Sequence, residues 1–202
     1  MAGINPEQFQ QLLGQLFAAI TNHEPTVLAK INALLEKIPE EPNLLHLAGL
    51  ASADQNQLSA AIDYLLRSLS RQSEQPEVHN NLANVYAKQG NDLLAEKHYR
   101  QALQLNPDFQ DALKNLGLLL ISVSPEAAVV ELDRAIAQNS KDIGALTGLG
   151  DAHKALENFE LSTEYYQRAL EINPNHVTAR HNLALCYKLN EQLALATANY
   201  KI

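Results

Sequence analysis

The sequence predicts an all-α fold, a solenoid of stacked antiparallel helix pairs, on three observations: a helix-forming composition, a sustained internal period, and proline at the ends of helical runs. The period shows first in Leu82-Ala83, Leu116-Gly117, Leu149-Gly150 and Leu183-Ala184, at separations of 34, 33 and 34 residues. A second track through Ala61, Ala95, Ala128, Ser162 and Ala196 keeps the same register, as does a third through Leu65, Tyr99, Leu132, Tyr166 and Tyr200. A unit this short cannot bury its apolar face alone, so each must cover the next.

The composition bounds the rest. The chain has 202 residues, 46% of them hydrophobic, with eight Gly, eight Pro and no Trp. It is rich in Ala, Leu, Gln, Glu and Lys, which lose least on entering a helix. Fifteen Lys and Arg stand against 23 Asp and Glu, a formal charge of −8, and neither sign gathers into a block. A phosphate backbone would be repelled, so nucleic acid is not an expected partner. Cys186 is the single cysteine, which excludes an internal disulfide and a multi-thiolate zinc site and fits a reducing compartment. Residues 1–10 carry no positive n-region, and the most apolar stretch, Leu116 to Val123, is far below the ~18–20 residues of a membrane span. A soluble, cytoplasmic protein without membrane contact is the expectation.

Taken in order, residues 6–20 carry helical apolar spacing through Phe9, Leu12, Leu13, Leu16, Phe17 and Ile20. Residues 25–38 do so through Val27, Leu28, Ile31, Leu34, Leu35 and Ile38. Residues 1–41 therefore read as an N-terminal helical pair, a degenerate repeat or a cap. The array proper spans 42–202, with full units at 42–75, 76–109, 110–142 and 143–176 and a partial one at 177–202. Asn106-Pro107 and Asn173-Pro174 close helices, since proline disfavours a helical residue before it. The third unit is one residue short around Ser122-Val123-Ser124-Pro125, with Pro125 placed for the first turn of the next helix.

The second unit carries Leu82-Ala83, Tyr86, Gly90, Ala95, Tyr99, Ala102 and Pro107, and in this it resembles the tetratricopeptide repeat (TPR), a helix-turn-helix of about 34 residues. The resemblance covers the chain from residue 42 onward. The first unit departs from it, with Ala48-Gly49, Ser52 and Ser73 at motif positions, and His153 stands where the fourth unit would have Tyr. The resemblance implies a right-handed superhelix whose first helices line a concave groove that binds a protein or peptide.

Catalysis and metal binding are not expected, and no cofactor is implied. Gly144, Gly148 and Gly150 follow no strand and miss the spacing of a dinucleotide loop. Gly150 reads as a small packing residue, while Gly144 and Gly148 each weaken their helix by roughly 1 kcal/mol relative to Ala, which would soften it or open its face. His176 and His181 are not at the i, i+4 spacing of paired ligands. Cys186 sits among apolar neighbours as a filler with no base on its face, and His153 reads as a core residue.

Asn81, Asn115 and Asn182 each immediately precede the Leu-Ala or Leu-Gly pair. They resemble the asparagine ladder of O-linked N-acetylglucosamine transferase repeats, interrupted here by Leu47 and Gly148. An amide both donates and accepts, so it can pair with a peptide unit without reading its side chain. It can equally bond a neighbouring helix, and both readings stand. By the family geometry His46, Glu77, Asn80, Asn84, Lys88, Asp111, Lys114, Asp151, Lys154, His181 and Lys188 share the groove. Those expected to bind peptide are Asn80, Asn81, Asn84, Lys114, Asn115, Asp151, Lys154, His181 and Asn182. The Lys and Asn set that grips chaperone tails is absent, with Asn80, Asn84, Lys114, Leu118, Thr147 and Asp151 in its places.

An interaction module is thus the primary reading. The alternative is the substrate-recruiting N-terminal part of a larger glycosyltransferase, sulfotransferase or methyltransferase cut at Ile202, because Tyr200-Lys201-Ile202 falls within a helix without a polar cap. A third reading is homo-oligomerisation through an apolar end formed by Leu193, Leu195 and Ala196.

Overall fold

The structure, a computed structural model, describes residues 5–199, with side chains as far as Asn190. The marks at Ala196 and Tyr200 and the apolar end at Leu193, Leu195 and Ala196 lie outside the described side chains. Eleven α-helices and no strand are present among the described residues: α1 (Pro6–Thr21), α2 (Val27–Leu35), α3 (Pro42–Asp54), α4 (Leu58–Arg71), α5 (Pro76–Lys88), α6 (Asp92–Leu105), α7 (Gln110–Leu120), α8 (Pro125–Gln138), α9 (Ile143–Ala155), α10 (Phe159–Ile172) and α11 (Val177–Asn199).

The helix starts follow from local chemistry. Asn5 and Gln8 form a reciprocal capping box before α1. Side chains of Glu41, Asn91 and Asp142 accept the N–H groups of Leu44, Leu94 and Ala145 at 2.7, 3.3 and 3.0 Å. Pro42, Pro76 and Pro125 open α3, α5 and α8, where the missing N–H is not needed. Four of the five turns between the helices of a pair carry one left-handed residue, His23 (φ 55°), Asn56 (φ 59°), Gly90 (φ 81°) and Glu157 (φ 59°). The short turn Ile121–Ser124 has no such residue, matching the one-residue deletion there.

The chain forms two compact units that part between Asn106 and Pro107. In unit 1, α3 packs on α4, α5 on α6 and α4 on α5, and α1 and α2 lie against α3. Leu13, Leu16, Ile20, Val27 and Ile31 join Leu44, Leu47 and Ala48 in one buried cluster, which seats the N-terminal pair. In unit 2, α7 packs on α8, α8 on α9, α9 on α10 and α10 on α11.

The sequence tracks are the seams of these pairs. Leu82, Leu116 and Leu149 are fully buried, as are Ala61, Ala95, Ala128 and Ser162. A Cβ added at Gly49 would stand 2.6 Å from Leu65, one at Gly117 2.5 Å from Leu132, and one at Gly150 2.5 Å from the Tyr166 ring. Those approaches are closer than any real Cβ contact, so the bare backbone is what lets each second helix lay its large side chain against the first. Ser162 stands in the Ala track because its hydroxyl donates to the Gly150 carbonyl at 2.7 Å. Cys186, fully buried, lies 3.1 Å from the same hydroxyl.

The structure assigns Gly148 a packing role as well. A Cβ there would meet Leu118 at 2.7 Å and Leu132 at 3.1 Å, and α9 runs through it as continuous helix with residues 145–150 all buried. His153 is 8% exposed and stacks on Tyr165, centroids 5.5 Å apart and 5° from parallel.

Candidate functional site

Within unit 1, α3 and α5, the first helices of consecutive pairs, touch directly; within unit 2, α7, α9 and α11 do the same. The candidate residues are divided between these two faces.

On the unit 1 face Asn81 Nδ2 lies 2.8 Å from His46 Nε2. The amide must donate, so this ring nitrogen is unprotonated. Burial holds His46 down at about 4, with Glu77 pulling weakly upward. Asn84 Oδ1 accepts the Tyr99 hydroxyl at 2.6 Å, a phenol that burial pushes up to about 12. Asn80 is only 5% exposed, so it faces the interior more than solvent. Gly49, Leu50, Ala53, Leu65, Asn81, Asn84, Val85 and Lys88 line a cleft of about 170 Å³.

On the unit 2 face the charges are largely paired. Lys114 Nζ lies 3.2 Å from both Asp111 and Asp142. Burial pulls its ammonium down, but the two carboxylates outweigh it and hold it above the ordinary lysine range. Asp142 is likewise desolvated, yet Ala145 N–H and Lys114 keep it below the usual carboxylate range. Asp151 Oδ1 gathers three donors: the Tyr166 hydroxyl at 2.6 Å, Lys154 Nζ at 2.8 Å and Asn182 Nδ2 at 2.9 Å. Burial, and then this carboxylate, push the Tyr166 phenol far upward. Asn115 is half-buried, and His181 is exposed. A wider, open cleft of about 630 Å³ is lined by Leu118, Ile121, Ser122, Pro125, Asp151, Lys154 and Ala155.

The two bridging asparagines therefore tie each first helix to the one before it, Asn81 to His46 and Asn182 to Asp151. Each commits one amide N–H; the second N–H and Oδ1 have no partner among the described residues. Sequence reasoning placed Asn81, Asn84, Asp151 and Lys154 on faces that the structure shows as cleft walls. It missed the apolar floor of Leu50, Ala53 and Val85, although Val85 follows Asn81 by one helical turn on the same side.

Among the described residues no three His, Cys, Asp or Glu side chains gather as a metal site. No described helix is long and apolar enough to cross a membrane.

Family models of the tetratricopeptide repeat match residues 76–109 and 144–176, and a second such model matches 165–198. Over residues 76–109 and 144–198 the chain carries tetratricopeptide repeats. Relatives by sequence include the protein O-mannosyl-transferase Tmtc3 of Drosophila melanogaster, 27% identical over 136 residues, 66% of this chain and 15% of that protein. Another is the DnaJ homolog subfamily C member 7 homolog of Schizosaccharomyces pombe, 30% identical over 122 residues, 58% of this chain and 26% of that protein. The TPR chain thus spans about a quarter or less of these relatives. Among solved structures, YrrB, a TPR protein with an unusual peptide-binding site, superposes with a TM-score of 0.69 at 22% identity over 83% of this chain and 86% of YrrB. MamA gives 0.69 at 19% identity over 80% and 90%. These likenesses establish a TPR fold.

Proposed function

We propose that this TPR chain is an interaction module that holds an extended peptide or partner helix against its first helices, α3 and α5 in unit 1 and α7, α9 and α11 in unit 2. The observation that carries the reading is the pair of fixed, half-committed amides. Asn81 and Asn182 are each anchored by one N–H and keep a donor and an acceptor, the complement of one peptide unit. Their rotamers are set before binding, so little side-chain entropy is lost when a ligand arrives. That YrrB has a peptide-binding site is in keeping with this. The chemistry proposed is recognition alone, at faces of mixed polarity, with protein or peptide as partner and the cytoplasm as the setting. The match to the O-mannosyl-transferase Tmtc3 spans 15% of that protein, so it carries no transferase activity over to this chain.

The test is retention of a displayed peptide library on the immobilised chain beside the Asn81→Ala/Asn182→Ala double variant, with circular dichroism to establish equal helicity. Loss of one to two amide hydrogen bonds should weaken retention about tenfold. Equal retention by both proteins would put the site elsewhere than on the first helices.

A further inference from the structure

The cleft between α3 and α5 differs from the one in unit 2 in two respects that together specify a ligand. Its walls are nearly all apolar, formed by Gly49, Leu50, Ala53, Leu65 and Val85, and its volume is about 170 Å³. An apolar cavity of ~150 Å³ holds a benzene ring, so the space suits one branched aliphatic or phenyl side chain. At its rim stands Lys88, exposed, with Nζ reaching only the Ala53 carbonyl at 3.4 Å. Among the described residues Lys88 has no carboxylate within ion-pair distance, whereas Lys114 and Lys154 are each neutralised by aspartates.

We propose that this cleft takes one apolar side chain of an extended peptide whose adjoining residue is acidic, the carboxylate meeting Lys88. The proposal rests on the interaction-module reading and names the peptide class for unit 1. A ligand carboxylate here gains a charge-assisted bond without displacing an existing partner. In unit 2 the same group would meet Asp151 and an already paired Lys154, and gains nothing. The chain's net charge of −8 does not cancel the preference, because repulsion from distant exposed charges is screened beyond ~8 Å at physiological salt.

The probe is a set of capped nonapeptides with randomised flanks and a central Leu-Glu, Leu-Gln, Leu-Lys or Ser-Glu pair, titrated by fluorescence anisotropy at physiological salt. Leu-Glu should bind tightest, about tenfold over Leu-Lys. Lys88→Gln, at an exposed position, should erase the preference for Glu over Gln and keep that for Leu over Ser. Ala53→Leu, which fills the cleft, should do the reverse. Equal affinity for Leu-Glu and Leu-Lys, or an undiminished Glu preference in Lys88→Gln, overturns this proposal and leaves the broader reading in place. Failure of every peptide to bind contradicts both.

Discussion

Glycine plays opposite parts at two positions of this chain. Gly14 is exposed in mid-α1, and a Cβ there would meet nothing within 4 Å. Gly150 faces the fully buried Tyr166 ring at 2.5 Å. Gly14→Ala should therefore raise unfolding stability by about 0.5–1 kcal/mol through helix propensity. Gly150→Ala should lower it by about 1–3 kcal/mol through overpacking. Urea denaturation followed at 222 nm checks both, and a rise in stability for Gly150→Ala would refute the packing role of Gly150. The sequence marks Gly150 because a small residue recurs there at the repeat period, but nothing in the period tells how close the backbones come. Gly148 shows the gap. Read by propensity it weakens its helix; in the fold it accommodates Leu118 and Leu132 from α7 and α8.

At the scale of the element, the helix limits rest on caps and turns, and three turns hold a bulky residue in the left-handed region, His23 (φ 55°), Glu40 (φ 62°) and Glu157 (φ 59°). Gly90 and Asn56 take the left-handed conformation readily, while Glu157 occupies it with a full side chain at φ 59°. Glu157→Gly should stabilise unit 2 by up to about 1 kcal/mol, read as a rise in the urea midpoint at unchanged m. A fall would mean that the Glu157 side chain makes a contact worth more than the strain. The helices themselves were legible because apolar spacing runs through them and proline marks several boundaries, opening α1, α3, α5 and α8 and following α6 and α10 in Asn106-Pro107 and Asn173-Pro174. The site was less so. The repeat register told that Asn81 and Asn182 share a place, but their partners, His46 and Asp151, come from the preceding first helix and are set by packing angles. Likewise Asn80 sits beside Asn81 in sequence and is nonetheless buried, because one residue along a helix turns a side chain by about 100°.

For the whole molecule the shared property is a set of neutral histidines. Burial holds His46 and His98 at about 4 and lowers His79 and His153 as well. The His79 and His98 rings meet Nδ1 to Nδ1 at 3.1 Å, so one donates and the other accepts, and both cannot carry charge. Each of the four binds a proton less readily folded than unfolded, where the ordinary value is about 6.5. The unfolded chain therefore gains protons first, and stability present above pH ~6.5 is lost as the pH falls toward 4. The thermal midpoint should drop across that window, and His46→Gln should flatten part of the drop. A midpoint unchanged from pH 7 to 4.5 would contradict the neutral burial of these rings. For function, acidification should weaken unit 1 binding as well, since Asn81 is held by the unprotonated His46.

The central claim is that recognition occurs on the first helices of the repeats. Amide hydrogen exchange, measured with and without a saturating peptide selected from the library, addresses it most directly. The account predicts added protection along α3 and α5, or along α7, α9 and α11, with α4, α6, α8 and α10 little changed. Protection concentrated on those second helices instead would contradict it.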